Sequence, residues 1–189
     1  RAEQLAIRRE TAASGLVWEE VSRYQAAAEA AEAKADWPGA AARWQDAVDA
    51  FARLLTAHPR SQFADRAKEA AMATRLNFAR FHDDVTRVRA AAARLRQALR
   101  ARQVDDALRL ADTVLADARR LAEAGTGVFR PEDEERQELE FIASHAAMIR
   151  GYLPEADRQL LPVPGQTVRM YRTEIPQGLY ASLMDANPS

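Results

Sequence analysis

The side chains able to do chemistry are few and scattered. Histidine occurs three times, at His58, His82 and His145, and no two are spaced as H-E-x-x-H or H-x-x-x-H. A zinc site therefore has no local pair to build on. There is no cysteine, which removes disulfides, thiolate metal sites and a Cys nucleophile. The glycines of "GTG" at 125–127 follow a helical stretch and lack the third glycine of a dinucleotide fingerprint, so they read as a helix stop. Neither G-x-S-x-G nor a P-loop is present. The acidic run "PEDEE", Pro131 to Glu135, suits the first turn of a helix, where carboxylates meet the positive end of the dipole. The expectation is a chain with no catalytic, cofactor-binding or metal site of its own.

Two groups of side chains suit binding instead. The basic stretch "RVRAAAARLRQALRAR" places Arg87, Arg94 and Arg102 on one side of an apolar stripe and Arg89, Arg96 and Arg100 on the other. That split reads as a solvated, salt-bridged helix. A groove for an anion or nucleic acid, or for a protein with an acidic surface, is the other reading of the same arginines. The aromatic residues Trp18, Trp37, Trp44, Tyr24 and Phe51 are expected to pack the first helices, and some could line a peptide groove. Tyr24, Trp37, Arg94 and Arg102 are the candidate partner-binding residues.

The totals narrow the partners. The chain has 189 residues, 48% hydrophobic and 29% charged, with a net charge of −1. It is long enough to bury a real core. A sequence pI near 6.4 argues against a dedicated nucleic-acid binder, for which a pI above ~9 is the usual footprint. No apolar run approaches the ~18 residues that span a membrane. A protein or peptide partner is expected. The chain starts at Arg1 without an n-region and h-region, and reads as a piece of a longer protein.

The positioning elements are helices, and the fold class expected is all-α. A helical period is clear from Leu16, with Val17, Val21, Tyr24, Ala28 and Ala31 on one face. After "ADWPGA", a second helix carries Ala40, Trp44, Ala47, Val48, Phe51 and Leu55, and ends at "HPRS" before Pro59. A third is expected from about Ser61 to Phe81, with Phe63, Ala67, Ala70, Ala71, Thr74 and Phe78 as one stripe and Met72, Leu76 and Ala79 as a second. A fourth follows from about Asp83 to Arg102. A fifth holds Val104, Leu108, Ala111, Val114, Leu115, Ala118 and Leu121. The last opens at Pro131, buries Leu139, Ile142, Ala146 and Ile149, and exits at Gly151 and Pro154. That makes about six antiparallel helices, in hairpins or two three-helix blocks. The expected organisation is a linker or frayed helix over 1–15, the helical array over 16–153, a linker over 154–166 and a C-terminal strand-plus-helix extension over 167–189.

The segment "YQAAAEAAEAKADWPGAAARWQDAVDAF" resembles a tetratricopeptide unit, in which small residues let two antiparallel helices nest closely. Tyr24, Ala27, Ala28 and Ala31 would lie on the first helix, and Ala40, Trp44 and Ala47 on the second. A weaker echo, "RQVDDALRLADTVLADA", aligns Ala107 with Ala40 and Val114 with Ala47 at an offset of 67 residues, nearly twice a standard unit of ~34.

The ending is different in kind. "TVRMYRTEI" alternates like a strand, "PQGLYASLMDA" reads as a short helix with Pro176 in its first turn, and "NPS" is a turn. With Glu174, Ile175, Gln177, Gly178, Tyr180, Leu183, Met184, Asn187, Pro188 and Ser189 in order, this resembles the start of the formylglycine-generating-enzyme (sulfatase-modifying factor) family domain. The resemblance implies a mixed domain continuing beyond these residues. The family's active members use downstream cysteines, with copper, to oxidise a sulfatase cysteine to formylglycine. The functional expectation is a non-catalytic interaction or spacer region ahead of such a domain. The alternative is the substrate-recognition part of that oxidase.

Overall fold

The computed structural model describes residues 2–124, 133–162 and 169–171. It is all-α in its body, with five helices among the described residues: α1 (Ala2–Glu32), α2 (Trp37–Ala57), α3 (Arg66–Arg100), α4 (Val104–Glu123) and α5 (Asp133–Gln159). Beyond them, the backbone of β1 (Leu160–Pro162) pairs antiparallel with β2 (Arg169–Tyr171). The short helix expected over 176–186, the turn at 187–189 and the helix opening at Pro131 lie outside the described residues. The chain divides into two compact units, Arg1–Asp84 and Val85–Ser189.

The expected third and fourth helices are one helix, so the count is five and not six. The expected boundary falls within "FHDD", 81–84. Neither glycine nor proline stands there. An aspartate inside a helix costs only some tenths of a kcal/mol, too little to break one whose neighbours are buried. Phe81 and Val85 are both buried, on either side of the expected break. The N-terminus of α3 also differs from expectation. Its cap is Asp65, whose carboxylate accepts from Ala67 N at 2.8 Å, and Ser61 belongs to the preceding loop. At the far end, α5 runs through Gly151 and Pro154 to Gln159 instead of exiting at them.

Unit 1 is built on α1, α2 and the first half of α3. Val21 and Ala28 of α1, Ala40, Trp44, Ala47 and Phe51 of α2, and Met72, Leu76 and Ala79 of α3 form one buried cluster. Of the two stripes expected on α3, only the second is buried. The Met72–Leu76–Ala79 stripe is the buried one, whereas Ala67, Ala70, Ala71 and Thr74 are exposed. Methionine and leucine gain more on leaving water than alanine does, so they decide which way the helix rolls. The seam between helices is made by alanine: Ala28, Ala40, Ala47 and Ala50 are fully buried.

Polar contacts fix the ends of this unit. The Glu32 carboxylate accepts from Trp44 Nε1 at 2.7 Å and from the Arg75 guanidinium, joining α1, α2 and α3 at one nearly buried side chain. Nearer its start, α1 clasps the α2–α3 loop. Glu10 accepts from Arg60 N at 2.7 Å and Thr11 Oγ1 from Gln62 N at 3.1 Å. Ser14 Oγ lies 2.7 Å from Ser61 Oγ in a buried contact. Because Ser14 donates its hydrogen to Thr11 O, Ser61 donates to Ser14. Residues from Ala2 onward are continuous with the rest of α1.

Unit 2 comprises the second half of α3 with α4 and α5. Val88 and Leu95, then Ala111, Val114 and Leu121, then Leu139, Ala146 and Ile149 supply its buried side chains. The turns that enter α2 and α4 are the same turn. At the first, Asp36 N bonds Ala31 O and Ala35 N bonds Glu32 O; at the second, Gln103 N bonds Ala98 O and Arg102 N bonds Leu99 O. Both are Schellman closures, which put one residue in the left-handed region. Those residues are Ala35 (φ 55°) and Arg102 (φ 56°), 67 positions apart. Neither is glycine.

Two stability predictions follow from these contacts. Ala35→Gly relieves a left-handed conformation that L side chains disfavour, and is expected to raise unfolding stability by about 0.5–1 kcal/mol in urea titration. Glu32→Ala leaves the Trp44 indole without its partner in the core and frees Arg75, and is expected to lower stability by about 1–3 kcal/mol in the same measurement.

Candidate interaction surfaces

The four residues singled out for binding fall two in each unit. In unit 1, Tyr24 on α1 packs half-buried against the core, with the Arg23 guanidinium 5.7 Å from its ring centre. Trp37 opens α2. Its ring stacks on His82 at 4.4 Å and meets Phe78 edge-on at 5.8 Å. Phe78 also meets His82 at 4.4 Å, and the Arg75 guanidinium lies over both Trp44 and Phe78. Trp37 is thus engaged by α3, with one side left to solvent. Trp18 is similarly occupied, stacked on Phe63 at 5.1 Å with Lys68 Nζ 4.7 Å from its ring.

In unit 2 the arginines of α3 divide between two grooves. Arg89 and Arg96 line the α5 side, a cleft of about 250 Å³ walled by Leu95, Val114 and Ile142. Phe141, 71% exposed, stands at its edge. Arg89 Nε donates to Glu138 Oε1 at 2.9 Å. That hydrogen bond, aided by the charge attraction, holds the Glu138 carboxyl below the ordinary carboxylate value and the Arg89 guanidinium above its own.

Arg94 lies on the opposite flank and lines a larger groove, about 580 Å³, between α3 and α4. Gln97 follows one turn later, Gln103 sits in the connecting turn, and Arg109 and Thr113 face them from α4 over Ala98 and Leu110. Arg109 is ion-paired to Asp106 on its own helix, and Thr113 Oγ1 donates back to Arg109 O at 3.1 Å. Among the described residues, Arg94, Gln97 and Gln103 make no side-chain hydrogen bond or ion pair. Arg102 is exposed in the same turn, held in the left-handed conformation, and does not line the groove.

Arg94 is one of the residues singled out from the helical wheel; Gln97, Gln103 and Arg109 are not, because only the closure of the α3–α4 turn brings them beside it. A signal was present in the 67-residue echo, which aligns the second turn with the first. No group of three or more His, Cys, Asp or Glu side chains able to hold a metal ion occurs among the described residues. No described helix is long and apolar enough to cross a membrane. No family model matches the chain, and neither a curated protein nor a solved structure matches it.

The Arg89–Glu138 pair carries a pH prediction. A carboxylate whose folded pKa lies below its unfolded value stabilises the fold above the unfolded value, near 4.5, and loses that contribution as pH falls through the folded value. Both side chains are more than a third exposed, so solvent screening keeps the effect below about 1 kcal/mol. Glu138→Gln is expected to unfold at slightly lower urea than the parent at pH 7. The difference should close as pH falls through the folded value, where the parent carboxyl becomes protonated.

Proposed function

We propose that this chain is a non-catalytic helical interaction and spacer region, built of tetratricopeptide-like hairpins, within a longer multidomain protein. The observation that carries the reading is the recurrence at 67 residues. The Schellman turns at Ala35 and Arg102 are each followed by a short helix, α2 or α4, whose buried face repeats. Ala40 and Ala107, Ala47 and Val114, Phe51 and Ala118, and Leu54 and Leu121 are buried at both members of each pair. The helices preceding these turns match too, with Val21 against Val88 and Ala28 against Leu95, all buried. The starts of α3 and α5, Arg66 and Asp133, keep the same interval, as do buried Met72 and Leu139. Helical units recurring at a fixed interval are the signature of repeat proteins, whose stacked units create extended binding surfaces.

In the same proposal, residues 167–189 begin a formylglycine-generating-enzyme-like domain, and the helices hold a protein or peptide near it. This part rests on the order of residues from Glu174 to Ser189. The alternative role, substrate recognition for an oxidase, would require cysteines in the parent beyond Ser189.

The test uses the chain as bait against extracts of its source organism, with each captured protein then purified and titrated calorimetrically. The expected result is saturable binding of a partner to this chain. If no captured protein binds in the titration, the interaction reading fails and the helices act as a spacer alone.

A further inference from the structure

We infer that the α3–α4 groove of unit 2 is an anion-binding site that takes a carboxylate-rich peptide segment of a protein partner. This deepens the interaction reading and rests on it. The groove presents the Arg94 guanidinium, whose donors have no protein acceptor among the described residues, and the side-chain amides of Gln97 and Gln103, equally unengaged. Arg109 adds a second guanidinium from the opposite helix, tethered by one edge to Asp106. A planar guanidinium binds a carboxylate through paired N–H donors, and the amides add neutral donors between the two arginines. At about 580 Å³ the groove lies in the middle of the range for ligand sites, ~300–1,000 Å³, so a short run of side chains fits where a single small anion would leave it mostly empty.

The fold does not need these polar residues. Unit 1 makes the same turn and the same helix pair with alanine at three of the matching positions and Asp36 where unit 2 has Gln103. Ala27 stands against Arg94, Ala30 against Gln97 and Ala42 against Arg109, each 67 positions earlier. The helix faces around them bury the same positions in both units. Unit 1 thus serves as an internal control, showing that the turn and the seam form without the guanidiniums and amides. What unit 2 gains from them is binding capacity.

The chemistry favours peptide carboxylates over nucleic acid. Asp106 lines the groove beside Arg109 and Asp105 adjoins it in the first turn of α4, so a continuous run of negative charge is disfavoured and acidic side chains set apart by neutral ones are accepted. No aromatic ring lines the groove, so bases would have nothing to stack on.

The experiment is fluorescence anisotropy on the full chain, with a labelled decapeptide of alternating glutamate and serine and an oligothymidylate of equal length as probes. The peptide is expected to bind, and the double variant Arg94→Ala with Arg109→Ala is expected to weaken it about tenfold or more. That variant copies the residues unit 1 already carries, and its helicity is checked by circular dichroism. Arg43→Ala, which removes an ion-paired arginine of α2, should leave peptide affinity unchanged. Asp106→Asn, which unties Arg109, should tighten it. Absence of peptide binding, equal binding by the double variant, or tighter binding of the oligonucleotide would each overturn the assignment. A natural partner that the chain captures and the double variant retains would overturn the groove while leaving the interaction reading standing.

Discussion

Two helix backbones can come close only where little stands between them, and in both units that requirement is met by alanine. Ala28, Ala40, Ala47 and Ala50 in unit 1, and Ala107, Ala111, Ala118 and Ala146 in unit 2, lose all or nearly all contact with water. Alanine loses no side-chain entropy on burial and has the highest helix propensity. It also contributes little apolar area of its own. The seam therefore sets the geometry while a few large side chains supply the driving force, with Trp44, Phe51 and Met72 filling unit 1 and Leu95, Leu121 and Leu139 filling unit 2. Replacing a seam alanine by a larger residue would push apart the helices that those side chains hold.

Charge is arranged around this seam in two ways. Where a carboxylate is nearly buried, at Glu32, it is matched by an indole N–H and a guanidinium drawn from two other helices. Where arginines are exposed, they stand on the flanks of the buried face, and their partners differ. Arg89 is matched across helices by Glu138, Arg109 is matched within its own helix by Asp106, and Arg94 is left to solvent. The first kind of contact holds helices together. The last is where ion pairing stops contributing to the fold.

The helical nature of the chain was legible because large apolar residues recur at helical spacing, and the faces of α2, α4 and α5 fell where their Trp, Phe, Leu and Ile side chains placed them. Where the signal came from alanine, it was ambiguous: Ala28, Ala40, Ala47 and Ala146 are buried as expected, whereas Ala67, Ala70 and Ala71 are exposed. The stripe of Ala67, Ala70, Ala71 and Thr74 has the right spacing but too little apolar area to turn α3 against Met72 and Leu76. Punctuation was harder to read. The expected break between Phe81 and Asp83 has no glycine or proline to make it, and Pro154 sits within α5 although proline usually ends a helix. The left-handed residues Ala35 and Arg102 were invisible because neither is the glycine that normally marks that conformation. The Arg94 groove was half legible: the arginine was on the wheel, while its companions depended on a turn whose closure no single residue announces.

Gly39 lies directly under the Asp36 carboxylate, which accepts from its N–H at 3.1 Å. A Cβ on Gly39 would fall 2.2 Å from Asp36 Oδ2, so any side chain there would force the carboxylate off its capping bond. At the second turn the matching positions hold Gln103, which makes no cap bond, and Asp106. The two positions therefore behave as a coupled pair: the capping bond exists only while residue 39 lacks a side chain, and a side chain there would displace the flexible carboxylate and leave the turn uncapped, as the second turn already is at Gln103.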